Sequence, residues 1–185
     1  MDPVTQGVLG ASLPQAVARN KKQLGIAGLL GVLGGMAPDL DVLIRSNTDP
    51  LLFLEYHRQF THSLFFVPFG GVMVGVLLYY LLGKRLGLTL LATCVYTTLG
   101  YATHALLDAC TSYGTLLLWP FSSERFAWNT ISIIDPLYTL PLLVGVLMAG
   151  IKKQARFARA ALVWALVYPL VGSMQRDRAI TAGWE

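Results

Sequence analysis

Residues 64–82 read LFFVPFGGVMVGVLLYYLL, and these 19 consecutive residues carry no charged side chain. Gly83, Lys84 and Arg85 follow immediately and end the apolar run. A helix of about 20 apolar residues crosses the hydrocarbon core of a bilayer, because each residue adds about 1.5 Å. The stretch therefore predicts a transmembrane helix, and it sets the class of fold for the whole chain.

The composition of the whole chain points the same way. Of its 185 residues, 55% are hydrophobic and only 13% are charged, whereas an ordinary soluble domain has about 25% charged residues. So few charges cannot cover the surface of a soluble globule of this size, and so much apolar content excludes disorder. We therefore expect one integral membrane domain over residues 1–185.

Five apolar segments are separated by short polar stretches, and each is read as one crossing of the membrane. They cover residues 24–37, 64–82, 87–109, 136–151 and 160–174. Pro169 interrupts the last segment, which is short for a full span. Residues 4–18 are also uncharged and could form a sixth helix, kinked at Pro14. The expected fold is an all-α, polytopic membrane helix bundle with five segments, or six with the N-terminal helix.

The basic residues give this bundle an orientation. If residues 19–23 are cytoplasmic, nine of the 14 Lys and Arg residues lie in cytoplasmic connections and five lie on the other side. Cytoplasmic loops of membrane proteins carry such an excess of Lys and Arg. The net charge of +4 is therefore read as a membrane signal and not as nucleic-acid binding. We expect a multi-pass protein of the inner (plasma) membrane.

All three histidines fall on the side opposite those basic connections, together with the nearest acidic residues. They occur in the motifs PDLD (residues 38–41), HRQFTHS (57–63) and HALLD (104–108), and Asp135 opens the fourth segment. Four segments thus place His and Asp at one end of the bundle, whichever side is cytoplasmic. His104 and Asp108 are four residues apart and share one helix face. Imidazole and carboxylate are ligands for zinc, manganese or iron.

Each of these motifs also has a purely structural interpretation. His104 and Asp108 could form a buried hydrogen bond that holds two helices together. Asp39 and Asp41 could belong to an ordinary Pro-Asp turn. Asp135 directly precedes Pro136, which is typical of an N-cap followed by proline in the first helical turn.

His57 and His62 are five residues apart, so an ideal helix would point them about 140° away from each other. They converge only if a loop or a helix start lies between them, and Thr61 is expected to cap the second segment. Without convergence they are two interfacial histidines. Arg58 could hold a phosphate or carboxylate group through two hydrogen bonds, or pair with Glu55.

The motifs taken together favour a metal site over three unrelated structural pairs. Two aspartates, two histidines and the His–Asp pair give six potential ligands, more than the four of a closed structural zinc site. We therefore expect a catalytic metal with an open position, or a two-metal site. The expected cofactor is one or two divalent ions, with zinc favoured over manganese or iron.

The motifs PDLD, HRQFTHS, HALLDACTSYGT, LLWPF and SIIDPLY, in this order between membrane segments, resemble those of the YdjM family of membrane-bound, predicted metal-dependent hydrolases. The resemblance covers residues 3–145 and implies a site role for Asp135. Many relatives carry Thr-His-x-x-x-Gly near the N-terminus, where this chain has Gln6 in place of the His; its amide oxygen could still coordinate. The resemblance implies metal-ligand roles for Asp39, Asp41, His57, His62, His104 and Asp108.

The implied reaction is hydrolysis by a metal-activated water. Asp41 or Asp108 would accept the proton of that water, and Arg58 would hold an anionic group. A site at head-group depth on the extracytoplasmic side favours an amphipathic substrate, most simply a lipid or a lipid-linked phosphoester. The loop of residues 111–133 would cover the site or dip into lipid.

A different class of protein remains as the alternative. The chain could be a non-catalytic membrane protein, either a metal-ion transporter or a metal-stabilised scaffold or partner subunit. Transport sites lie near the bilayer midplane, whereas the acidic residues here gather at one end, which disfavours transport. The oligomeric state is left open by the sequence.

Overall fold

The computed structural model describes residues 1–44 and 57–183. Within these residues the chain forms six α-helices and no β-strand, apart from an isolated bridge between Thr115 and Phe126. This confirms the predicted all-α bundle. The helices are α1 (Pro3–Val17), α2 (Leu24–Met36), α3 (Val67–Leu78), α4 (Leu90–Ala109), α5 (Pro136–Lys152) and α6 (Ala155–Ala182).

Short helical turns extend or connect these elements. A 3₁₀ turn over Lys21–Gln23 leads into α2, a second over Ala37–Leu43 continues it, and a third covers Phe60–His62. A π-helical turn over Tyr79–Gly83 extends α3. Three helical stretches of the described residues are long and apolar enough to span a membrane, and two more are apolar but shorter. The long ones are Lys21–Leu43, Leu90–Ala109 and Ala155–Ala182, and the shorter ones are Val67–Gly83 and Pro136–Lys152.

The N-terminal helix α1 lies in the middle of the bundle. Asp2 caps it by accepting a hydrogen bond from Thr5 N, and Pro3 occupies the first turn, where its missing N–H costs nothing. Most of its side chains are buried, and it packs against α2, α4, α5 and α6. The helix continues through Pro14 and ends at Val17. The sixth helix suggested by the sequence is therefore present.

Three helices approach one another through glycine. A Cβ atom added to Gly31 of α2 would lie 2.3 Å from Gly10 O of α1, and one added to Gly100 of α4 would lie 2.3 Å from Gly31 O. Any side chain at these positions would push the backbones apart. Small residues at such crossings let membrane helices pack closely, and here they fix α1, α2 and α4 against each other.

One end of the bundle collects the starts of α1 and α5 and the ends of α2 and α4. Asp2 N donates to Ile133 O, and Thr5 Oγ1 is 2.6 Å from Thr139 Oγ1. The connections with the clustered Lys and Arg residues join the other ends of the helices. The structure therefore places the His and Asp motifs at one end of the bundle and the basic connections at the other, as the sequence predicts.

Two local expectations need correction. The last helix was expected over residues 160–174 with an interruption at Pro169, but α6 runs unbroken over Ala155–Ala182. Contacts hold it on both sides of the proline: Tyr168 donates to Asp135, and Gly172 lies against Thr130 O. Thr61 was expected to cap the second segment, but α3 begins only at Val67, and Ser63 Oγ accepts the hydrogen bond from Phe66 N.

The glycine crossing can be tested with two alanine substitutions in one helix. We expect Gly31→Ala to lower the free energy of unfolding by about 1–3 kcal/mol, because its Cβ would overlap the backbone of α1. Gly25→Ala is the control: its Cβ would meet nothing within 4 Å among the described residues, and alanine favours the helix by up to about 1 kcal/mol. Thermal unfolding in detergent measures both, and equal effects would contradict the close crossing.

Candidate metal centre

Four side chains from three parts of the chain converge at this end of the bundle. Asp39 lies on the 3₁₀ turn after α2, His62 on the turn before α3, and His104 and Asp108 on the last turns of α4. One ligand atom from each of the four lies within 4.8 Å of all the others. The i, i+4 spacing on α4 supplies two of the four, as its helical face predicts.

The distances between these atoms suit a metal ion. Asp39 Oδ1 is 3.5 Å from His62 Nε2 and 3.3 Å from His104 Nε2, and Asp108 Oδ2 is 3.5 and 3.7 Å from the same two nitrogens. A tetrahedral zinc site with bonds of about 2.0–2.2 Å places its ligand atoms about 3.3–3.6 Å apart. Three of these four distances lie within that range and the fourth is close to it, so the four side chains could hold one ion.

The proton of His104 is fixed by the backbone. Its Nδ1 is 2.5 Å from the carbonyl oxygen of Gly35 at the end of α2. A carbonyl oxygen can only accept, so Nδ1 carries the proton and donates it. The lone pair of Nε2 then faces the cluster.

His62 is oriented by Thr61 and Asp41. Thr61 Oγ1 donates its single proton to Asp41 Oδ2 at 2.9 Å, and the same oxygen is 2.9 Å from His62 Nδ1. The hydroxyl therefore accepts from His62 Nδ1–H, and Nε2 of this ring also presents a lone pair. Partners of this kind set the tautomer of metal-binding histidines.

The two Nε2 atoms are 2.9 Å apart, and by this assignment neither carries a proton. Two lone pairs at this distance repel each other unless a cation lies near both, and two carboxylate oxygens face the same space. Burial would lower the pKa of His62, but the carboxylates of Asp108 and Asp39 raise it above its ordinary value. Without a metal, a proton on His62 Nε2, donated to His104 Nε2, would supply the positive charge, and a bound cation would take the place of that proton.

The two oxygens of Asp108 have different surroundings. Oδ1 accepts a hydrogen bond from Gln6 Nε2 at 2.9 Å and contacts the amino group of Met1. Oδ2 faces the cluster and is buried with no hydrogen-bond partner among the described residues. A buried carboxylate oxygen without a hydrogen bond is costly. Arg58 Nε, 3.3 Å away, offsets part of its charge, and a bound metal ion would give it a direct partner. The donor set thus fits a divalent metal.

Among the four clustered side chains, that of Asp39 is the most accessible. The side chains of His62, His104 and Asp108 are fully buried, whereas that of Asp39 is 29% exposed. Solvent therefore contacts the cluster at Asp39. The other three side chains lie in a low-dielectric environment, in which electrostatic interactions are strong.

Arg58 is held beside the cluster in a strained backbone conformation. Its φ angle of 62° is left-handed, which is unusual for a residue other than glycine. Its backbone N–H donates to Asp41 Oδ2 at 3.0 Å, and its carbonyl oxygen accepts from Thr115 Oγ1 at 3.3 Å. These contacts stabilise the conformation and direct the side chain inwards.

The guanidinium group of Arg58 has unused donors. It lies 4.5 Å from the ring centroid of Tyr113, and its Nε is 3.3 Å from Asp108 Oδ2. Nε and Nη1 are nevertheless buried without a hydrogen-bond partner in residues 1–44 and 57–183. An arginine of this kind next to a metal-ligand cluster is suited to bind an anionic oxygen. Glu55, the alternative partner suggested by the sequence, lies outside the described residues.

The structure separates the six predicted ligands into two groups. Asp39, His62, His104 and Asp108 form the cluster, while Asp41 and His57 form an adjacent pair in which His57 Nδ1 is 2.8 Å from Asp41 Oδ1. Asp41 also accepts from Arg58 N and Thr61 Oγ1. It therefore supports the cluster from behind His62, and ligation by Asp41 and His57 stays a prediction.

Gln6 and Asp135 lie in different places. Gln6 donates to Asp108, so its amide nitrogen and not its oxygen faces that carboxylate. Asp135 is the predicted N-cap of α5, accepting from Tyr138 N at 3.1 Å, and it also accepts from Tyr168 Oη. It is not among the four clustered residues, and a role at the metal stays a prediction.

Sequence reasoning missed three contributors to the site. The Gly35 carbonyl and the ring of Tyr113 depend on tertiary packing, and nothing in the sequence marks them. Thr61 did carry a signal, because a hydroxyl next to a candidate ligand histidine can orient it, but the expected helix cap took precedence.

The fold and this site define a class: a helical integral membrane protein with a buried His–Asp cluster that could hold a divalent metal. Comparison with protein families agrees with this class. The chain belongs to the YdjM inner membrane protein family, whose model matches residues 1–179. The family membership predicted from the sequence motifs is thereby confirmed, while the family's name assigns no hydrolase activity.

One similar protein is "Uncharacterized protein YfhP" of Bacillus subtilis (strain 168). It is 28% identical over 142 residues, which cover 74% of this chain and 42% of that protein. The chain thus spans less than half the length of this relative, whose name assigns no activity. No solved structure matches the chain.

Metal content is the direct test of the cluster. We expect purified protein to hold close to one divalent ion per chain, and His104→Ala or Asp108→Ala to lose it, because each removes a ligand atom. Asp41→Asn should weaken metal binding about 10–100-fold by releasing Thr61 and His62. Elemental analysis and competition with a metal-binding dye measure these changes.

His57→Ala is the matched control, because this histidine lies beside the cluster but not in it. It should keep the metal. Size-exclusion chromatography shows whether each variant is folded. Unchanged metal content in folded His104→Ala and Asp108→Ala would contradict the assignment, and loss of metal in folded His57→Ala would place a ligand outside the four.

Proposed function

We propose that this protein is a membrane-embedded, metal-dependent hydrolase that acts on a lipid or lipid-linked phosphoester at the extracytoplasmic face of the inner membrane. The observation that carries the proposal is the convergence of two imidazole nitrogens and two carboxylate oxygens at one end of a helical bundle. The unpartnered guanidinium donors of Arg58 beside them point to an anionic substrate.

Asp39, His62, His104 and Asp108 would hold the ion, and nitrogen and oxygen ligands without cysteine are compatible with zinc, manganese or iron. We take zinc as the first choice because the ligand spacing suits a tetrahedral site. A bound ion of this kind lowers the pKa of the water it holds and polarises a phosphoryl oxygen.

Arg58 would bind the anionic oxygens of the phosphoester. Its stacking on Tyr113 and its ion pair with Asp108 fix the planar group at the edge of the cluster. Two parallel N–H donors match the geometry of a phosphate better than the single ammonium of a lysine does. The residue thus both selects a phosphate and orients it towards the ligand cluster.

The proton of the attacking water would pass to Asp108. Of the two acceptors expected from the sequence, Asp41 already accepts hydrogen bonds at both oxygens from His57, Arg58 and Thr61. Asp108 Oδ2 faces the cluster and makes no hydrogen bond among the described residues, although Arg58 Nε lies 3.3 Å away. We therefore assign an orienting role to Asp41 and proton acceptance to Asp108. Because the same oxygen would be the metal ligand, it would have to leave the ion to take the proton.

Exposed aromatic side chains beside the site support a lipid substrate. Phe121 is 78% exposed on the loop between α4 and α5, and its ring is 5.5 Å from that of Phe65, which in turn contacts Phe69. Aromatic groups at the end of membrane helices favour the head-group region of a bilayer. A substrate with its ester at head-group depth would thus be in reach of the cluster.

A metal-stabilised scaffold is the second candidate, because four protein ligands are also the number found in structural zinc sites. The partial exposure of Asp39 favours the enzyme, since a closed structural site needs no route for solvent. The two functions differ in whether the metal-loaded protein turns over a phosphoester.

Turnover of a phosphoester distinguishes the hydrolase from the scaffold. We expect protein in lipid nanodiscs to hydrolyse at least one member of a panel of phospholipids and polyprenyl phosphoesters, to lose this activity with a chelator and to regain it with zinc. Arg58→Lys should lower the rate about 10²-fold or more, because one buried donor to a developing negative charge has this effect in other enzymes. Product phosphate or alcohol is measured by mass spectrometry.

The metal content of each variant is the control for this experiment. Arg58→Lys should keep the ion, because Arg58 is not among the four ligands. Stoichiometric metal without turnover of any panel member would favour the scaffold, and unchanged rates in Arg58→Lys would remove the anion-binding role.

The orientation can be tested separately by cysteine labelling. In a background with both native cysteines replaced, Ser123→Cys on the site-end loop and Lys84→Cys on the basic end are exposed positions. A membrane-impermeant maleimide should label Ser123→Cys in intact spheroplasts and Lys84→Cys only after lysis, because basic connections stay in the cytoplasm. The reverse pattern would place the site on the cytoplasmic face.

A further inference from the structure

A cavity lies at the same end of the bundle, outside the metal-ligand cluster. It has a volume of about 600 Å³ and opens between the loop that precedes α5 and the two helices α5 and α6. None of the four clustered residues lines it. Its size is within the range of small-ligand sites, about 300–1,000 Å³.

One wall of this cleft is polar and without net positive charge. The loop contributes Ser112, Asn129, Thr130 and Ser132, and α6 contributes Gln175. Hydroxyl and amide groups both donate and accept hydrogen bonds. They are the partners that hydroxyl groups of a ligand need.

The single charged side chain that lines the cleft, within the described residues, is Asp135. Its carboxylate accepts from Tyr168 Oη at 2.9 and 3.1 Å and from Tyr138 N at 3.1 Å. The nearby guanidinium of Arg176 is bonded to Asp177 and to Trp128 O instead. A carboxylate without a lining cation disfavours an anionic ligand.

The other wall of the cleft is apolar and continues onto the outer surface of the helices. Leu137 is 72% exposed and begins a row of exposed apolar residues along α5, and Val171 belongs to a similar row on α6. In a membrane protein such rows face the acyl chains of lipid. A ligand in the cleft can therefore have a polar end inside and an apolar chain outside.

The walls are fixed relative to each other. Gly172 lets α6 approach the loop so closely that an added Cβ would lie 2.2 Å from Thr130 O. Tyr168 ties the same helix to Asp135 at the start of α5. The cleft is thus part of the folded bundle.

We propose that this cleft binds the uncharged, hydroxyl-bearing head group of a membrane lipid, with its acyl chain lying over Leu137 and Val171. The inference does not depend on hydrolysis at the metal centre. It follows from a polar wall of hydroxyls and amides, an acidic side chain that already accepts hydrogen bonds from Tyr168 and Tyr138, and an apolar wall that faces lipid.

Photolabelling tests the proposal. Protein in detergent is irradiated with a diacylglycerol that carries a diazirine on one acyl chain, and with a phosphatidic acid that carries the same chains. We expect the diacylglycerol to label peptides within residues 129–137 and 168–175, and the phosphatidic acid to label them far less. Free glycerol in large excess should not compete.

Two neighbouring substitutions on α6 provide the variant and its control. Gln175→Trp should fill the cleft and lower labelling about tenfold, which corresponds to a loss of about 1.4 kcal/mol of binding free energy. Met174→Trp is the control, because Met174 is 58% exposed and does not line the cleft. Both variants should keep their metal content.

Full labelling of Gln175→Trp, or equal loss in both variants, would overturn the proposal. Equal labelling by phosphatidic acid would show that charge does not select the ligand, and competition by glycerol would identify a soluble ligand. Each of these results leaves the hydrolase proposal untouched, because that proposal depends on the four clustered residues and Arg58.

Discussion

The backbones of α1, α2 and α4 touch at Gly10, Gly31 and Gly100, and the rest of the structure depends on this contact. In a bilayer, lipid chains are as apolar as the helices, so burial of apolar surface contributes little to helix association, and close van der Waals packing takes its place. Glycine allows the closest packing. Because α2 lies this near to α4, the carbonyl oxygen of Gly35 reaches His104 Nδ1 and fixes the proton of that ring.

The positions of the ring protons therefore connect the packing of the helices with the direction of the ligand atoms. His104 donates to a carbonyl oxygen and His62 donates to Thr61, so both rings direct a lone pair into the same space as Asp39 and Asp108. Such a group is unfavourable without a positive charge, since buried polar atoms need partners. The packing that holds the bundle together thus also assembles a cluster that could bind a divalent metal.

Arg58 adds a positive charge beside the carboxylates of the cluster. Its left-handed backbone is held by Asp41 and Thr115, which come from two different parts of the chain. Strain of this kind persists only where the surroundings impose it, and it is often found at functional sites. The same Asp41 orients His62 through Thr61, so one buried carboxylate positions both the proposed metal ligand and the proposed anion-binding group.

The sequence by itself determined the membrane class, the helical segments, the N-cap at Asp135 and the helix face shared by His104 and Asp108, because these follow from local composition and helical period. It also determined that the histidines gather at one end, since that depends only on the number of crossings. Tertiary structure alone decided that four of the six candidate ligands converge, that Asp41 and Thr61 orient them, and that α6 continues through Pro169. The physical reason is that the direction of a ligand atom and the position of its proton are set by residues distant in the chain. No local sequence pattern shows which of those residues lie close enough to do so.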